Sequence, residues 1–561
     1  MPTKSAKRQQ KPHNNHMNIS KYRYPIDNDQ FQEIREQGML YVDKTDLMYY
    51  LANRHKYIFL ARPRRFGKSL LCNTFKAYFK GQKDLFEGLK VMELEKEWKS
   101  FPVFHFILSG LKDCSIEDAK SKLELLISKY EKDFGRNEAE KTPGARFCGL
   151  IHRAYEQTGQ KAVVILDEYD SPIMRLLGNP EQLDAMRSLL REFYQVLKDE
   201  GEYLRFVFIT GVTKFSQLSI FSELNNLNQI SFDDEYSGIC GITQEELDTT
   251  LRPCIEEYSV ALNVNIDEAY AILKKNYDGY HFSPKSKDVY APFSLLKALD
   301  KKTTNSYWFD SATSNSLLEY LKHFPITTAL NYDGVEVSEN EFCIPCENAA
   351  TPMPLLYQSG YLTIASYDPW VQRYELKLPN NEVRKGLIDC LMPIILKRTV
   401  ADNNSLVAAM ARALFKSNLS DALTALRSYI AKIPYDVITK EQWEDEESRE
   451  AFYQLLLYMA FSMLNSTVDT EVKSILGRAD VVIKTKTDIF VLELKVDETV
   501  ETALAQIDDK GYAIPYAADG RKVTKCGVRI GSEQRNITRW RIIDAEGKII
   551  EDKDFLCNHT K

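Results

Sequence analysis

"YIFLARPRRFGKSLL", residues 57–71, decides the first part of the fold, because an apolar run leads into a loop that ends in glycine, lysine and serine. Gly67, Lys68 and Ser69 form the second half of the pattern G-x-x-x-x-G-K-[ST], in which backbone N–H groups at a helix N-terminus surround phosphate oxygens. The first glycine position holds Arg62 instead. The stretch alone is therefore compatible with a working nucleotide loop, a degenerate one or an accidental match.

The chain around this loop alternates apolar runs with amphipathic helical stretches, as in a parallel α/β sheet that helices cover on both faces. The stretch "SIEDAKSKLELLISKYEKDF" (115–134) has apolar residues three and four apart and predicts one such helix. The strands predicted in this part are residues 57–61, 102–108, 162–167 and 204–210. A strand, a G-K-S loop, a helix and a later strand with terminal acids is the order of a P-loop domain.

The partner motif is "VVILDEYD" (163–170), in which four apolar residues precede Asp167 and Glu168. This predicts a buried strand that ends in two carboxylates, the aspartate holding Mg²⁺ through water and the glutamate polarising the attacking water. A core strand followed by an N-capping acid is the alternative. The two motifs occur in this order about a hundred residues apart, which favours a nucleotide site. Thr210 or Thr213, at the next predicted strand, could sense the γ-phosphate.

Several stretches together resemble the AAA-ATPase-like proteins, a family in which this domain is typically joined to a C-terminal PD-(D/E)XK nuclease-like domain. The resemblance covers about residues 20–380 and 445–530. The matching stretches are "YVDKTDLMYYL" (41–51), "RPRRFGKSLL" (62–71), "LDEYDSPI" (166–173), "ITGVTKFSQLSIFSELNNL" (209–227), "YDGYHF" (277–282) and "LLYQSGYL" (355–362). The octet R-P-R-R-F-G-K-S is more specific than a generic G-K-S, and it implies that the absent first glycine is the family's own pattern.

The resemblance implies ATP and Mg²⁺ as cofactors. Ser69 and Asp167 are expected at the metal, and Glu168 is expected to activate water. The roles of Arg64 and Arg65 stay open among phosphate, a neighbouring protomer's nucleotide and DNA. The residues expected to bind the nucleotide are Arg64, Arg65, Phe66, Gly67, Lys68, Ser69, Asp167 and Thr210.

The second candidate site lies in "GRADVVIKTKTDIFVLELK" (477–495). Two-metal nucleases need carboxylates around Mg²⁺ and a lysine near the attacking water, and in PD-(D/E)XK folds these residues lie on adjacent strands. Asp480 is predicted on one strand, with Glu493 and Lys495 on the next. Because strand side chains alternate, Glu493 and Lys495 share a face while the leucines beside them point into the core.

Helices are predicted on both sides of this pattern. Glu450, in the preceding helix (449–464), could complete the metal shell, and Gln506, in the following one (501–513), is available to the site. Gln454 stands where family members often carry histidine, which puts a role for that position in doubt. A chance D…E-x-K match, or an intact fold that does not cleave, remains the alternative.

Charge and cysteine content limit the expected partners. The 561 residues carry a net charge of −7, so any nucleic-acid binding must use local patches. The last forty-one residues hold ten lysines and arginines against six acids, which fits a phosphate-backbone contact or a solvated strand face. Nucleic acid, DNA before RNA, is the expected partner, and a homo-oligomer stays open.

The ten cysteines have no repeated spacing, which is typical of a reducing cytoplasm. We interpret Cys343 and Cys346 as incidental thiols rather than as zinc ligands. No signal peptide is visible, and the longest apolar run, 455–464, is too short to span a bilayer and predicts a buried helix. We therefore expect no membrane association and a cytoplasmic, bacterial protein.

The predicted fold class is α/β, with an AAA-like parallel sheet, a helical and winged-helix-like connector and a C-terminal α/β PD-(D/E)XK nuclease-like domain. The predicted divisions are 1–20, a disordered basic arm; 21–241, the P-loop ATPase domain; 242–400, the helical lid and connector, with a helix end and a hairpin over 355–384; and 401–561, a helical segment and the nuclease-like domain.

The predicted function is ATP-gated, Mg²⁺-dependent cleavage of nucleic acid. Three alternatives stay open. The first is an ATP-driven switch whose nuclease-like domain binds nucleic acid without cutting. The second is a nuclease that binds ATP without hydrolysing it, and the third is a scaffold in which both sites are vestigial. A role in defence or in mobile elements would follow from fold analogy alone.

Overall fold

The computed structural model describes residues 21–112, 114–174, 176, 179–213, 227–308, 320–321, 324, 334–344, 349–397, 400–434, 437, 443–464, 469–472 and 481–556. The predicted arm over 1–20 and the predicted site residue Asp480 lie outside these ranges, as does 214–226, which is part of one family-like stretch.

A five-stranded parallel sheet forms the N-terminal part of the protein, with strand order β2-β3-β4-β1-β5. Its strands are β1 (Tyr57–Ala61), β2 (Val103–Ile107), β3 (Ala162–Asp167), β4 (Leu204–Gly211) and β5 (Asn228–Gln229). The predictions over 57–61 and 162–167 are confirmed at both ends. Because β4 lies between β1 and β3, the ends of three strands meet at one edge, where the nucleotide motifs lie.

Helices cover both faces of this sheet. They are α1 (Phe31–Glu36), α2 (Thr45–Arg54), α3 (Lys68–Phe79), α4 (Val91–Leu94), α5 (Ile116–Phe134), α6 (Pro143–Thr158) and α7 (Pro180–Asp199). On one face, Phe75 of α3 packs on Phe206 and Phe208 of β4. The predicted helix over 115–134 is confirmed from Ile116, because the Ser115 hydroxyl caps it by accepting the Asp118 N–H.

The middle of the chain is helical and also carries a small antiparallel sheet, with order β8-β10-β9. A helix that ends at Gln358 and a hairpin follow each other as predicted. The elements are β6 (Ile242–Thr243), α8 (Gln244–Asp248), α9 (Arg252–Leu262), α10 (Ile266–Tyr277), β7 (Val289–Tyr290), α11 (Pro292–Lys301), β8 (Val335–Val337), α12 (Glu339–Phe342), α13 (Met353–Gln358), β9 (Thr363–Asp368) and β10 (Arg373–Lys377).

A group of helices connects this region to the C-terminal sheet: α14 (Asn381–Leu396), α15 (Val400–Leu414), α16 (Leu419–Ile430) and α17 (Glu446–Leu464). The run over 455–464 is a buried helix, as predicted. Within the described ranges, no helix combines the length and apolarity needed to cross a membrane.

The C-terminal part is a mixed six-stranded sheet, with strands in chain order and one parallel pair, β13 with β14. The helix α18 makes the crossover between that pair. The elements are β11 (Asp469–Val472), β12 (Val481–Lys484), β13 (Asp488–Val496), α18 (Val500–Asp509), β14 (Lys522–Gly531), β15 (Asn536–Asp544) and β16 (Ile549–Asp554). Together these parts confirm the predicted α/β fold class.

Helices pack on both faces of this sheet. Leu492 and Leu494 belong to the same apolar cluster as α17, whereas Ile489 and Val491 belong to the cluster of α18. Gly527 lies under the start of α18, where an added Cβ would meet the Val500 carbonyl oxygen at 2.4 Å.

We predict that Gly527→Ala lowers the free energy of unfolding by about 1–3 kcal/mol, because the added methyl must push α18 off the sheet. The measurement is the urea midpoint followed by far-UV circular dichroism. Gly110→Ala is the matched control, since nothing lies within 4 Å of a Cβ at Gly110. Equal midpoints for the two variants would contradict the close packing of α18.

Candidate functional sites

Arg62, which occupies the first glycine position of the loop, is a buried structural residue. Its side chain is 1% exposed and lies 4.1 Å above the centroid of the Phe282 ring. Burial lowers its pKa to about 10, so it stays charged at neutral pH. The guanidinium donates hydrogen bonds to four backbone carbonyl oxygens, those of Ala61, Ser231, Tyr236 and Ser237. Arg62 thus fastens the end of β1 to the segment after β5.

The turn from β1 into α3 uses two left-handed residues. Arg65 has φ of 66° and Gly67 has φ of 90°, and Gly67 directly precedes α3. Nothing lies within 4 Å of a Cβ added to Gly67, so this side of the loop is open. The Arg65 guanidinium packs 3.9 Å from the centroid of the Phe293 ring of α11. Arg65 and glycine therefore supply the tight turn without a first glycine.

Residues from the middle of the chain also contact the loop between β1 and α3. Trp308 Nε1 donates to the Arg64 carbonyl oxygen at 3.2 Å, and the buried Phe66 ring packs edge-on against Tyr280 at 4.7 Å. An added Cβ at Gly360 would lie 2.6 Å from a side-chain carbon of the loop proline. The Phe66 side chain thus anchors the loop in the core, and its role at a nucleotide stays a prediction.

Lys68 is 6% exposed and begins α3. Its ammonium donates to the carbonyl oxygens of Arg62 at 3.0 Å and of Pro63 at 2.9 Å. Burial lowers the pKa of Lys68, and the charges of Asp167 and Glu168 oppose that shift. The predicted phosphate-binding lysine is therefore held against its own loop, close to the acidic end of β3.

Asp167 ends β3 and is 1% exposed. Burial raises its pKa to about 6, against a hydrogen bond from Ser69 and the positive charge of Lys68. Among the described residues, none makes a hydrogen bond to Asp167 Oδ1. The structure thus brings together Lys68, Ser69 and Asp167, three of the predicted nucleotide and metal residues.

Two residues that the sequence interpretation missed lie beside this carboxylate. Cys72 of α3 and His105 of β2 each place a ligand atom within 4.8 Å of Asp167 and of one another. Burial lowers the pKa of His105 to about 4, so it is neutral at physiological pH. The available signal was spacing, because Cys72 follows Lys68 by one helical turn and faces the sheet with it.

Glu168 follows with a left-handed φ of 54°, which turns the chain sharply out of β3. The buried Asp170, also missed, then accepts hydrogen bonds from the N–H groups of Val212 (2.9 Å) and Thr213 (2.6 Å) and from the Thr213 hydroxyl (2.7 Å). Asp170 thereby ties the β3 turn to the end of β4, which fixes where Glu168 stands.

Thr210 is fully buried, and its hydroxyl donates to the Leu60 carbonyl oxygen at 2.8 Å. The Thr213 hydroxyl is bound to Asp170. A phosphate contact from either threonine would require one of these bonds to break. The predicted γ-phosphate role of this strand therefore stays a prediction.

At the C-terminal site, Glu493 and Lys495 share one face of β13, as predicted. Glu493 is 1% exposed, and its Oε1 lies 3.6 Å from Lys495 Nζ. On β14, Gly527 pairs with Glu493 and Arg529 pairs with Lys495. A buried carboxylate beside a lysine is compatible with the metal and water roles predicted for this pair, and both roles stay predictions.

The other predicted residues of this site are placed less completely. Asp480 and the side chain of Glu450 lie outside the described residues, and their metal roles stay predictions. Glu450 belongs to α17, which packs on the face opposite Glu493. Gln506 lies half-buried on α18, the helix on the Glu493 face.

A row of basic side chains continues from Lys495 across the sheet. Arg529 pairs with Lys495 on one side and with Arg539 on the other. Arg539 and Arg541 both donate to Asp552, at 2.8 and 2.6 Å. The basic excess seen in the sequence is therefore partly neutralised within the sheet, and Arg529 is the member that pairs directly with Lys495.

Comparisons with known proteins match both halves of the chain. The profile of the family described as "Predicted AAA-ATPase" matches residues 25–221, and that of the "PD-(D/E)XK nuclease superfamily" matches residues 448–540. The chain is also 31% identical over 530 residues to a protein of Azotobacter chroococcum mcd 1, "Uncharacterized protein in vnfD 5'region", covering 92% of this chain and 98% of that protein. The first matched segment contains Lys68, and the second contains Glu493.

We predict that Mg²⁺-dependent nucleotide binding weakens below pH 6, because the Asp167 carboxyl must be ionised to hold a cation and burial raises its pKa to about 6. The dissociation constant of a fluorescent ATP analogue should rise about tenfold per pH unit below that value. Asp167→Asn is the control, in which the Mg²⁺-dependent part of this pH dependence disappears. A constant affinity for the nucleotide from pH 7.5 to 5 would contradict the predicted role of Asp167 as a Mg²⁺ ligand.

Proposed function

This chain belongs to the AAA-ATPase-like family and ends in a PD-(D/E)XK nuclease superfamily domain, and on that premise we propose that it binds ATP with Mg²⁺ and uses the nucleotide to control cleavage of nucleic acid. DNA is the proposed substrate before RNA. The observation that carries the cleavage part is the pairing of the buried Glu493 with Lys495, 3.6 Å away on the same strand face.

The proposed binding of ATP is supported by the polar groups that follow β1 and end β3. Lys68 would exchange its two carbonyl contacts for phosphate oxygens, and the open side of Gly67 gives a phosphate room to approach. Ser69 and Asp167 are oxygen ligands of the kind that Mg²⁺ prefers. Mg²⁺ bound there would neutralise phosphate charge, while Glu168 would orient the attacking water.

The cleavage part assigns Glu493 and Asp480 to Mg²⁺ and Lys495 to the attacking water. Both carboxylates would hold the cation, which supplies Lewis acidity at the scissile phosphate. Lys495 would position the water and stabilise negative charge that develops on the phosphate oxygens. Gln506, on the helix that covers the Glu493 face, would complete the surroundings of this site, whereas Glu450 belongs to the helix of the opposite face and is left out of the proposal.

The proposed control of cleavage by the nucleotide is supported by a chain of contacts that runs from the loop between β1 and α3 to helix α17 of the nuclease-like region. The Trp308 side chain donates to the Arg64 carbonyl oxygen of the loop, and the Trp308 backbone N–H donates to Glu382 Oε1 at 2.7 Å. Glu382 lies in the first turn of α14, and Arg384 of the same helix donates to the Tyr458 hydroxyl of α17. A loop that rearranges around phosphate would move Trp308, and α14 would carry that shift to α17.

We predict that Lys495→Ala lowers Mg²⁺-dependent cleavage of supercoiled plasmid and single-stranded DNA by at least about 100-fold, because the attacking water loses its positioning group. Binding of ATP should be unchanged. Lys484→Ala is the matched control, since Lys484 lies on the neighbouring strand β12. Glu493→Ala should abolish cutting, and Lys68→Ala should change its ATP dependence.

Cleavage that survives Lys495→Ala would exclude the proposed nuclease site. No cleavage by the wild type, with ATP hydrolysis intact, would instead favour an ATP-driven switch that binds nucleic acid without cutting. If the Glu168→Gln variant cleaves at the wild-type rate both with and without ATP, the protein is better described as a nuclease that binds the nucleotide without needing its hydrolysis.

We predict that Trp308→Phe reduces the effect of ATP on cleavage by roughly 2- to 10-fold, which corresponds to the loss of one hydrogen bond. The substitution removes the indole N–H together with the five-membered ring but keeps an aromatic side chain beside Tyr361, so cleavage without ATP should stay close to the wild-type rate. Trp370→Phe is the control, because the Trp370 side chain is 94% exposed. An unchanged ratio of rates with and without ATP would rule out coupling through Trp308.

A further inference from the structure

A cluster of three different donor side chains lies apart from both candidate sites. Cys148 and His152 are four residues apart on α6 and therefore on one helical face. Glu200 directly follows α7 and points at both of them. The Cys148 thiol donates to Glu200 Oε1 at 3.1 Å, and His152 Nε2 lies 2.5 Å from Glu200 Oε2.

The spacing of these donors suits a metal ion. One ligand atom from each of the three residues lies within 4.8 Å of the other two. In a tetrahedral zinc site, bonds of about 2.0–2.3 Å place neighbouring ligand atoms roughly 3.3–3.8 Å apart. Small side-chain rotations would bring the three donors to that separation, because the carboxylate already lies between the sulfur and the nitrogen.

The cluster is also accessible to a metal ion and attractive to it. The His152 side chain is 41% exposed, so an ion can enter and keep a water ligand. Asp199 adds negative charge near the Cys148 sulfur, whereas the nearby Glu140 is paired with Arg153 at 2.6 Å. The buried group of Cys72, His105 and Asp167 has similar donors, but it belongs to the proposed nucleotide site.

We propose that Cys148, His152 and Glu200 bind a divalent transition-metal ion of the zinc class. The ion bonds to the sulfur, to His152 Nε2 and to one carboxylate oxygen, and water fills the fourth position. Binding releases the thiol proton to solvent, because cysteine coordinates as the thiolate. The hydrogen bonds to Glu200 are replaced by the metal bonds.

The site would connect α6 to the segment between α7 and β4. Glu200 precedes the short 3-10 turn Gly201–Tyr203, which leads directly into β4. The Tyr203 ring lies 4.7 Å from the His152 ring. A bound ion would fix α6 to the start of β4, the strand whose other end carries Thr210.

The test is a Co²⁺ titration of the full-length, metal-free protein, followed by the thiolate-to-cobalt charge-transfer band and by competition with Zn²⁺. We expect one tightly bound ion with this band in the wild type. Cys148→Ser should remove the band, and His152→Ala should weaken Zn²⁺ binding by at least about 100-fold. Circular dichroism establishes that each variant is folded.

Cys72→Ser is the matched control, because Cys72 is the thiol of the other three-donor group, and it should keep the wild-type band. A band lost in Cys72→Ser and kept in Cys148→Ser would overturn the proposal and place the ion beside Asp167. No thiolate–cobalt band in the wild type would overturn it as well. These outcomes are independent of whether the protein hydrolyses ATP or cleaves nucleic acid.

Discussion

The nucleotide loop depends on the hydrogen bonds that the buried guanidinium of Arg62 makes. A charge with 1% exposure is stable only where acceptors surround it, and four backbone carbonyl oxygens and the Phe282 ring supply that environment. The same contacts fix the direction in which the chain leaves β1. Lys68 then completes the arrangement by binding the Arg62 and Pro63 carbonyl oxygens. A side chain that in sequence seemed to replace a phosphate-binding glycine thus shapes the loop from behind.

The sequence predicted those elements whose patterns are local. The strands over 57–61 and 162–167 and the shared face of Glu493 and Lys495 follow from apolar runs and from alternation, which need only neighbouring residues. The helical segment expected within 401–561 was predicted without its internal breaks, although Asn418 caps α16 and Pro434 follows it.

The sequence did not predict what the side chains of the loop contact. The partners of Phe66 and Arg64 are more than two hundred residues away, and no local pattern identifies them. Thr210 could be placed at a strand end, but the bond from its hydroxyl to Leu60 depends on the register between β4 and β1. Cys72 and His105 become neighbours of Asp167 only once α3 packs on the sheet.

The long sequence separations between the loop and its partners also determine when the contacts of the loop can form during protein synthesis. The carbonyl oxygens of Tyr236 and Ser237 that receive the Arg62 guanidinium are made 174 and 175 residues after it, and Trp308 follows Arg64 by 244. On a ribosome adding roughly 5–20 residues per second, the first four strands emerge well before these partners. The Arg62 guanidinium must therefore stay in water for many seconds, until its carbonyl partners have been made. The nucleotide loop is consequently among the last parts of the ATPase-like region to take its final form.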